Sequence, residues 1–384
     1  MNKIKLLFVV KDFYQAGAQR YMYEIDSVID KSKYDITILC LHKQSKIDSK
    51  WHPYYLDKHI ALGSNVVFID TFLINNSLIK RIESKANKIF RDKKYSDNID
   101  DKSFNNFLDK FDVLNWIGEY SFYHQLSKGN LKKSLIHVMS AKFQNPDLYK
   151  KFDFDYNYNF VSAFNENECT SEFSEFKKIN HFHFPLAMKI PFEQKPWKYI
   201  KSEVRKIGIF TRLNRYKPLD PFFYSFQLLL DKIPNCELHI FGNGDPEAEG
   251  MIRYLKNLGI EKKVFFRGHQ ENMVETIVNE HIDLSWFQGY NNDRPAGYAG
   301  LDICTTGTPL LCWDFMDYPV NSFNEVYPHY KSLSQFVAKS IEILDTPESA
   351  ENLSNLQFND VNLNRDINKH LYLLENAYLQ ILNK

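Results

Sequence analysis

Short apolar runs alternate with amphipathic stretches along the whole chain, and that rhythm predicts a parallel α/β architecture. Ile4–Val10 reads as a buried strand and is followed by a polar loop through Gly17. A helix is predicted from Ala18 to Ile29, because Met22, Ile25, Val28 and Ile29 recur at helical spacing and leave Arg20 and Glu24 outward. A second strand, Tyr34–Leu41, completes a βαβ start. Further strands are predicted at Asn65–Ile69, Asp112–Trp116, Ser134–Met139, Tyr158–Ser162 and His181–Phe184, with irregular polar stretches such as Tyr95–Asn106 between them.

Pro185, Pro191 and Pro196 break the pattern, since proline removes ladder donors and disfavours helix; an interdomain linker is predicted over Pro185–Trp197. The C-terminal half is more regular. Strands at Lys206–Thr211, Glu237–Phe241, Lys263–Arg267, Ile282–Trp286 and Pro309–Asp314 alternate with helices at Leu219–Lys232, Pro246–Leu258, Met273–Glu280 and Tyr298–Thr306. That alternation predicts a doubly wound sheet, which binds ligands beyond the C-terminal ends of its strands. Ile367–Leu382 carries Leu371, Leu373, Leu374, Ala377 and Leu379 and reads as a terminal amphipathic helix. The predicted domains are 1–190, 191–365 and a closing helix, 366–384, packing back on the first domain.

Composition narrows the class. The chain has 384 residues, 44% of them hydrophobic, which suits two folded domains. Lys plus Arg balances Asp plus Glu at 48 each, so no overall field favours nucleic acid as a partner. Five scattered cysteines, Cys40, Cys169, Cys236, Cys304 and Cys312, form neither a disulfide framework nor a zinc pattern and fit a reducing cytoplasm. The N-terminal apolar run is too short for a signal peptide, and no run approaches the roughly 18 apolar residues of a membrane span. A cytoplasmic protein is expected.

Candidate chemistry gathers at the predicted strand ends of the second half. Arg212 and Lys217 flank a tight loop and can bracket a diphosphate, offsetting charge that develops on it; a solvated basic loop explains them equally well. Gly242 and Gly244 permit a sharp turn and close backbone approach to a ligand, or mark a plain turn. Gly268 and His269 end another strand. Gly297, Tyr298 and Ala299 open a short helix whose free N–H groups suit an anion, and Asp302 lies about one turn in, where a carboxylate can accept both protons of a ribose diol.

In this order the motifs resemble glycosyltransferases of the GT-B fold, in particular glycosyltransferase family 4. Arg212 and Lys217 match the family's R-x4-K pair, Phe241-Gly242-Asn243-Gly244 its hydrophobic-G-x-G turn, and Val264-Phe265-Phe266-Arg267-Gly268 its V-x-F-x-G strand. Gly307-Thr308-Pro309 sets the register of its E-x7-E motif and puts Asp302 at the second acid. The loop Gln15–Tyr21 is similar to the family's G-G-A-E-R loop, with Ala16 for a Gly and Gln19 for the Glu, and Gly17 approaching the phosphates. Asn115, Trp116 and His137 fall where the family lines its acceptor cleft, His137 near a sugar-contacting histidine. One position departs: Arg294 stands where the first acid belongs, with Asp293 beside it as the substitute we favour over an Arg294 contact to an acidic sugar or phosphate.

The resemblance implies two Rossmann-like doubly wound domains facing across a cleft. It implies transfer of a sugar from a nucleoside diphosphate sugar to a saccharide or lipid-linked acceptor, with retention and with neither metal nor cofactor. Arg212, Lys217, His137 and Asp293 would carry the chemistry. Two rivals stay open, a degenerate copy that scaffolds an active enzyme and a sugar-nucleotide epimerase. Residues 78–94 form a basic amphipathic stretch that fits either peripheral membrane contact or a helix packed on the first sheet.

Overall fold

A computed structural model describes residues 3–42, 53–72, 99–118, 126–138, 152–163, 169, 173–213, 218–289, 297–314 and 325–383. The chain divides into two compact units, 1–189 with 367–384, and 190–366.

The first unit is built on a seven-stranded sheet in the order β3-β2-β1-β4-β5-β6-β7. Its strands are β1 Ile4–Val10, β2 Tyr34–Cys40, β3 Asn65–Phe68, β4 Val113–Ile117, β5 Ser134–His137, β6 Tyr158–Ser162 and β7 Ile179–His183. Every pairing is parallel. Leu6 through Val10 are wholly buried, the mark of a central strand covered on both faces. The second unit repeats the arrangement in six strands, β10-β9-β8-β11-β12-β13, again all parallel. These are β8 Arg205–Phe210, β9 Cys236–Phe241, β10 Val264–Gly268, β11 Leu284–Gly289, β12 Leu310–Asp314 and β13 His329–Tyr330. Strand order therefore reverses between β1 and β4 in one sheet and between β8 and β11 in the other, and crevices form at such reversals.

Among the described helices, α1 Gly17–Val28, α2 Leu56–Ala61, α3 Asp101–Leu108 and α4 Lys128–Lys132 belong to the first unit. In the second, α5 is Asp220–Leu230, α6 Met251–Leu258, α7 Met273–Asn279, α8 Gly297–Thr306, α9 Leu333–Asp345 and α10 Pro347–Asn364; α11, Ile367–Leu382, returns to the first unit. Three expectations are corrected. Asp101–Leu108 is helical, started by the Asp100 carboxylate accepting from the Lys102 and Ser103 N–H groups. Helix α6 begins at Met251 rather than Pro246, because Gly250 turns left-handed ahead of it. Glu24 does not face outward: it is buried, bonded to Arg20 Nε at 3.1 Å and to the Lys189 N–H at 2.9 Å. The end of the proline-rich segment makes contacts of its own. Lys195 Nζ meets Glu351 at 2.7 Å and Ser354 at 2.9 Å, and Trp197 donates to the Ile282 carbonyl at 3.0 Å, fastening it to the second unit.

Lys195 also explains Gly307. A Cβ there would lie 2.2 Å from Lys195 Cγ, and φ is +83°, so only glycine fits beneath the crossing lysine.

Candidate functional site

In the second unit, three loops leaving β8, β9 and β10 are stitched edge to edge by backbone bonds. Leu213 N–H reaches the Asn243 carbonyl at 2.7 Å, and Gly242 N–H reaches the Gly268 carbonyl at 2.8 Å. The glycines of the β9 loop serve this crossing. A Cβ on Gly242 would lie 1.8 Å from the Thr211 carbonyl oxygen, and one on Gly244 would lie 2.4 Å from that of Leu213. Their φ values, +153° and +136°, are further ground for glycine. The close approach expected toward a ligand is thus made to the neighbouring loop.

Beyond residues 214–217, just ahead of α5, the Pro218 carbonyl accepts from Gln288 Nε2, at the end of β11, at 2.9 Å. Arg212, next to the Leu213 tie, is exposed, with no protein partner among the described residues. A guanidinium anchored at its backbone and open at its head, beside a strand-order reversal, suits an anionic ligand. Lys217, Asp293 and Arg294 lie outside the described residues.

Helix α8 begins at Gly297 with φ +71°. Tyr298 is buried, Ala299 half-buried, and Asp302, one turn in, is 1% exposed. The second sequence-predicted anchor is therefore packed inside the unit, unlike Arg212. Gly268 and His269 are exposed at the end of β10. Arg267, the second x of the V-x-F-x-G match, sits at a register shift between Phe266 and Gly268.

In the first unit, α1 starts at Gly17 directly past the β1 end, again at a reversal. Gly17 is exposed, and a Cβ there would meet nothing within 4 Å. The fold does not demand glycine at this position. Gln19 Nε2 donates to Asp12 Oδ1 at 2.6 Å, and the same oxygen accepts from Tyr14 N–H at 3.1 Å, so the loop is clasped from within.

The residues expected to line the acceptor cleft are buried. Trp116 is 0% exposed and its Nε1 donates to Ser134 Oγ at 3.0 Å. His137 is 1% exposed and both ring nitrogens face protein groups: Nε2 lies 3.0 Å from Asn115 Oδ1, and Nδ1 2.9 Å from the Tyr21 hydroxyl. Asn115 turns its amide N–H toward the Leu7 carbonyl, so Nε2 carries the imidazole proton and Nδ1 accepts from Tyr21. Burial pushes the His137 pKa down to about 3, keeping the ring neutral. These three side chains tie β4 and β5 to α1. Nothing in the sequence marks that burial; only the strand register discloses it.

Among the described residues no cluster of three or more His, Cys, Asp or Glu is placed to hold a metal, and no helix is long and apolar enough to cross a membrane.

No protein-family model matches the chain. It is 25% identical over 193 residues to the poly(glycerol-phosphate) alpha-glucosyltransferase of Bacillus subtilis strain 168, a stretch covering 48% of this chain but only 27% of that protein. Among solved structures it superposes on S. aureus TarM in complex with fondaparinux, alpha-GlcNAc-glycerol and UDP, with TM-score 0.69, 12% identity, and coverage of 99% of this chain and 100% of that one. The fold is GT-B. Anabaena HepE in complex with UDP-glucose matches at TM-score 0.64 and 9% identity over 97% of this chain and 99% of its own. A glycosyltransferase from Rickettsia africae matches the same GT-B frame at 0.65 and 12%, over 100% and 99%.

Proposed function

We propose that this GT-B protein is a glycosyltransferase that moves a sugar from a nucleoside diphosphate sugar to a hydroxyl of a saccharide or lipid-linked acceptor. The observation that carries the reading is Arg212, exposed beside the backbone tie to the β9 loop at the β8–β11 reversal, in a fold whose solved examples include complexes with UDP and UDP-glucose.

In this reading residues 190–366 hold the donor and the first unit holds the acceptor. The bond from the sugar's anomeric carbon to the diphosphate breaks, and the diphosphate departs with the electron pair. The acceptor oxygen forms the new bond and its proton is released. Arg212, with Lys217, offsets the charge gathering on the leaving diphosphate. The N–H groups at the start of α1, at Gly17, and of α8, at Gly297, face phosphate oxygens. Asp302 is assigned to the ribose, and Asp293 replaces the missing first acid. Transfer proceeds with retention and with protein cations in place of a metal. The Asp12–Gln19 clasp weighs against a degenerate copy, because Gln19 has a specific buried partner rather than a vacated role.

A screen of nucleotide sugars for nucleoside diphosphate release, with glycerol-phosphate polymers and oligosaccharides as acceptors, tests the proposal. Acceptor-dependent release that falls by orders of magnitude in Arg212→Ala supports it. Conversion of the nucleotide sugar without acceptor would assign the chain to epimerisation instead.

A further inference from the structure

Glu24 holds an ion pair that the stability of its own helix does not explain. Its side chain is 7% exposed, and Oε1 accepts from Arg20 Nε at 3.1 Å. Arginine four residues ahead of glutamate is the weaker order for such a pair, and it runs against the helix dipole. Burying a carboxylate also costs desolvation that an apolar residue at the same place would avoid. The other groups that the pair gathers lie far along the chain. Glu24 Oε2 accepts from the Lys189 N–H at 2.9 Å, and Arg20 Nη2 lies 3.8 Å from Met188 Sδ. The Met188 carbonyl in turn accepts from the Ile367 N–H at 3.0 Å.

These positions are where the chain passes between its units. It leaves the first unit after Lys189 and returns at Ile367. The two crossings are therefore tied to each other through Met188, and to α1 through Arg20 and Glu24. Tyr21, Met22 and Ile25, buried on the same helix, already pack α1 into its unit. The polar ties add orientation. They join α1, whose start at Gly17 is exposed, to both crossings as one piece.

We propose that Glu24 is a positioning residue of the transfer reaction. It holds α1 in register with the two crossings, so that the N–H groups at Gly17 meet the phosphates of a donor carried by residues 190–366. The inference rests on the nucleotide-sugar reading above. Residues 190–366 are joined covalently to the first unit only at these crossings. The start of α1 must keep a fixed relation to them if it is to face a donor held beyond them. Buried as it is, Glu24 acts through α1 and not by touching the donor. Its loss slows transfer and changes nucleotide affinity, which resides chiefly in residues 190–366, far less.

Two measurements on wild type, Glu24→Ala, Gly17→Ala and the double variant test this. One is UDP release from UDP-sugars, with glycerol-phosphate polymer and oligosaccharides as acceptors; the other is calorimetric titration of UDP. In Glu24→Ala turnover falls by about tenfold to a hundredfold, the cost of a small misplacement of reacting groups, while UDP affinity changes far less. Glu24→Gln keeps an acceptor for the Lys189 N–H and loses less. Once Gly17→Ala has spoiled the α1 start, Glu24→Ala lowers turnover little further, a non-additivity that a merely structural tie does not give. Wild-type turnover in folded Glu24→Ala, or in Glu24→Gln should the alanine variant fail to fold, overturns the inference and leaves the nucleotide reading intact. So do losses that multiply in the double variant, and a UDP affinity that falls in step with turnover. A wild type that neither binds UDP nor releases it overturns both together.

Discussion

Gln19 and Asp12 form a buried clasp, amide to carboxylate at 2.6 Å, that closes the loop between β1 and α1. The resembled family has glutamate at position 19. A glutamate there would set one carboxylate acceptor against another and lose the amide donor that makes the clasp. Gln19→Glu should destabilise the protein by about 1–3 kcal/mol at neutral pH, and adding Asp12→Asn should restore most of the loss. Urea denaturation of the two single variants and the double variant measures the coupling. A Gln19→Glu protein as stable as wild type would show that the clasp carries no weight.

Gly242 predicts a different kind of cost. Alanine there places its Cβ inside the Thr211 carbonyl, a backbone atom that no rotamer change removes. Gly242→Ala should cost about 3 kcal/mol or more, at the upper end of ordinary substitutions, and should disturb Arg212 as the β8 loop is pushed away. Gly250 is the control, since it is left-handed with open space around it. Gly250→Ala should cost only about 1–2 kcal/mol. Equal losses in the two variants would contradict the steric account.

Gly17 separates a role in folding from one in binding. With nothing within 4 Å of a Cβ, Gly17→Ala should melt at the wild-type temperature. If the α1 start approaches the phosphates, the same methyl should lower turnover at least tenfold. Wild-type turnover in Gly17→Ala would remove α1 from the donor site.

His137 makes stability depend on acid. Burial pushes its folded pKa down to about 3, whereas the unfolded chain titrates near 6.5. Below about 6.5 the unfolded state binds the extra proton, so this contribution is complete above that pH and is lost as pH falls toward 3. The slope is up to about 1.4 kcal/mol per pH unit. Melting curves from pH 7 to 4 should fall less steeply for His137→Gln than for wild type, despite its lower starting stability. Parallel curves would mean that His137 is not the group responsible.

The two sheets were legible because their strands are short apolar runs whose type survives any detail of packing. Ile4–Val10 and Tyr158–Ser162 need no partner to be recognised. Helix α10 escaped because its buried side includes Ser354 and Gln357, and Gln357 is buried to bond the Leu310 N–H and carbonyl at 2.8 Å each. Such polar anchors blur an apolar period. At the site, Gly242 and Gly244 stand out in sequence, but the reason for them is another loop's backbone, which no local pattern contains. The burial of His137 was illegible for the converse reason: a histidine at a strand end carries no mark of the tyrosine and asparagine that enclose it.

The central claim is that the exposed guanidinium at the β8–β11 reversal belongs to a nucleoside diphosphate site. The most direct test is the thermal stability of wild type and Arg212→Ala with UDP and GDP at rising concentration. At a hundredfold the dissociation constant, a bound nucleotide stabilises by about 2.7 kcal/mol, so wild type should melt several degrees higher while Arg212→Ala shifts little at the same concentration. Equal shifts in both proteins, or none in wild type with either nucleotide, would contradict the account.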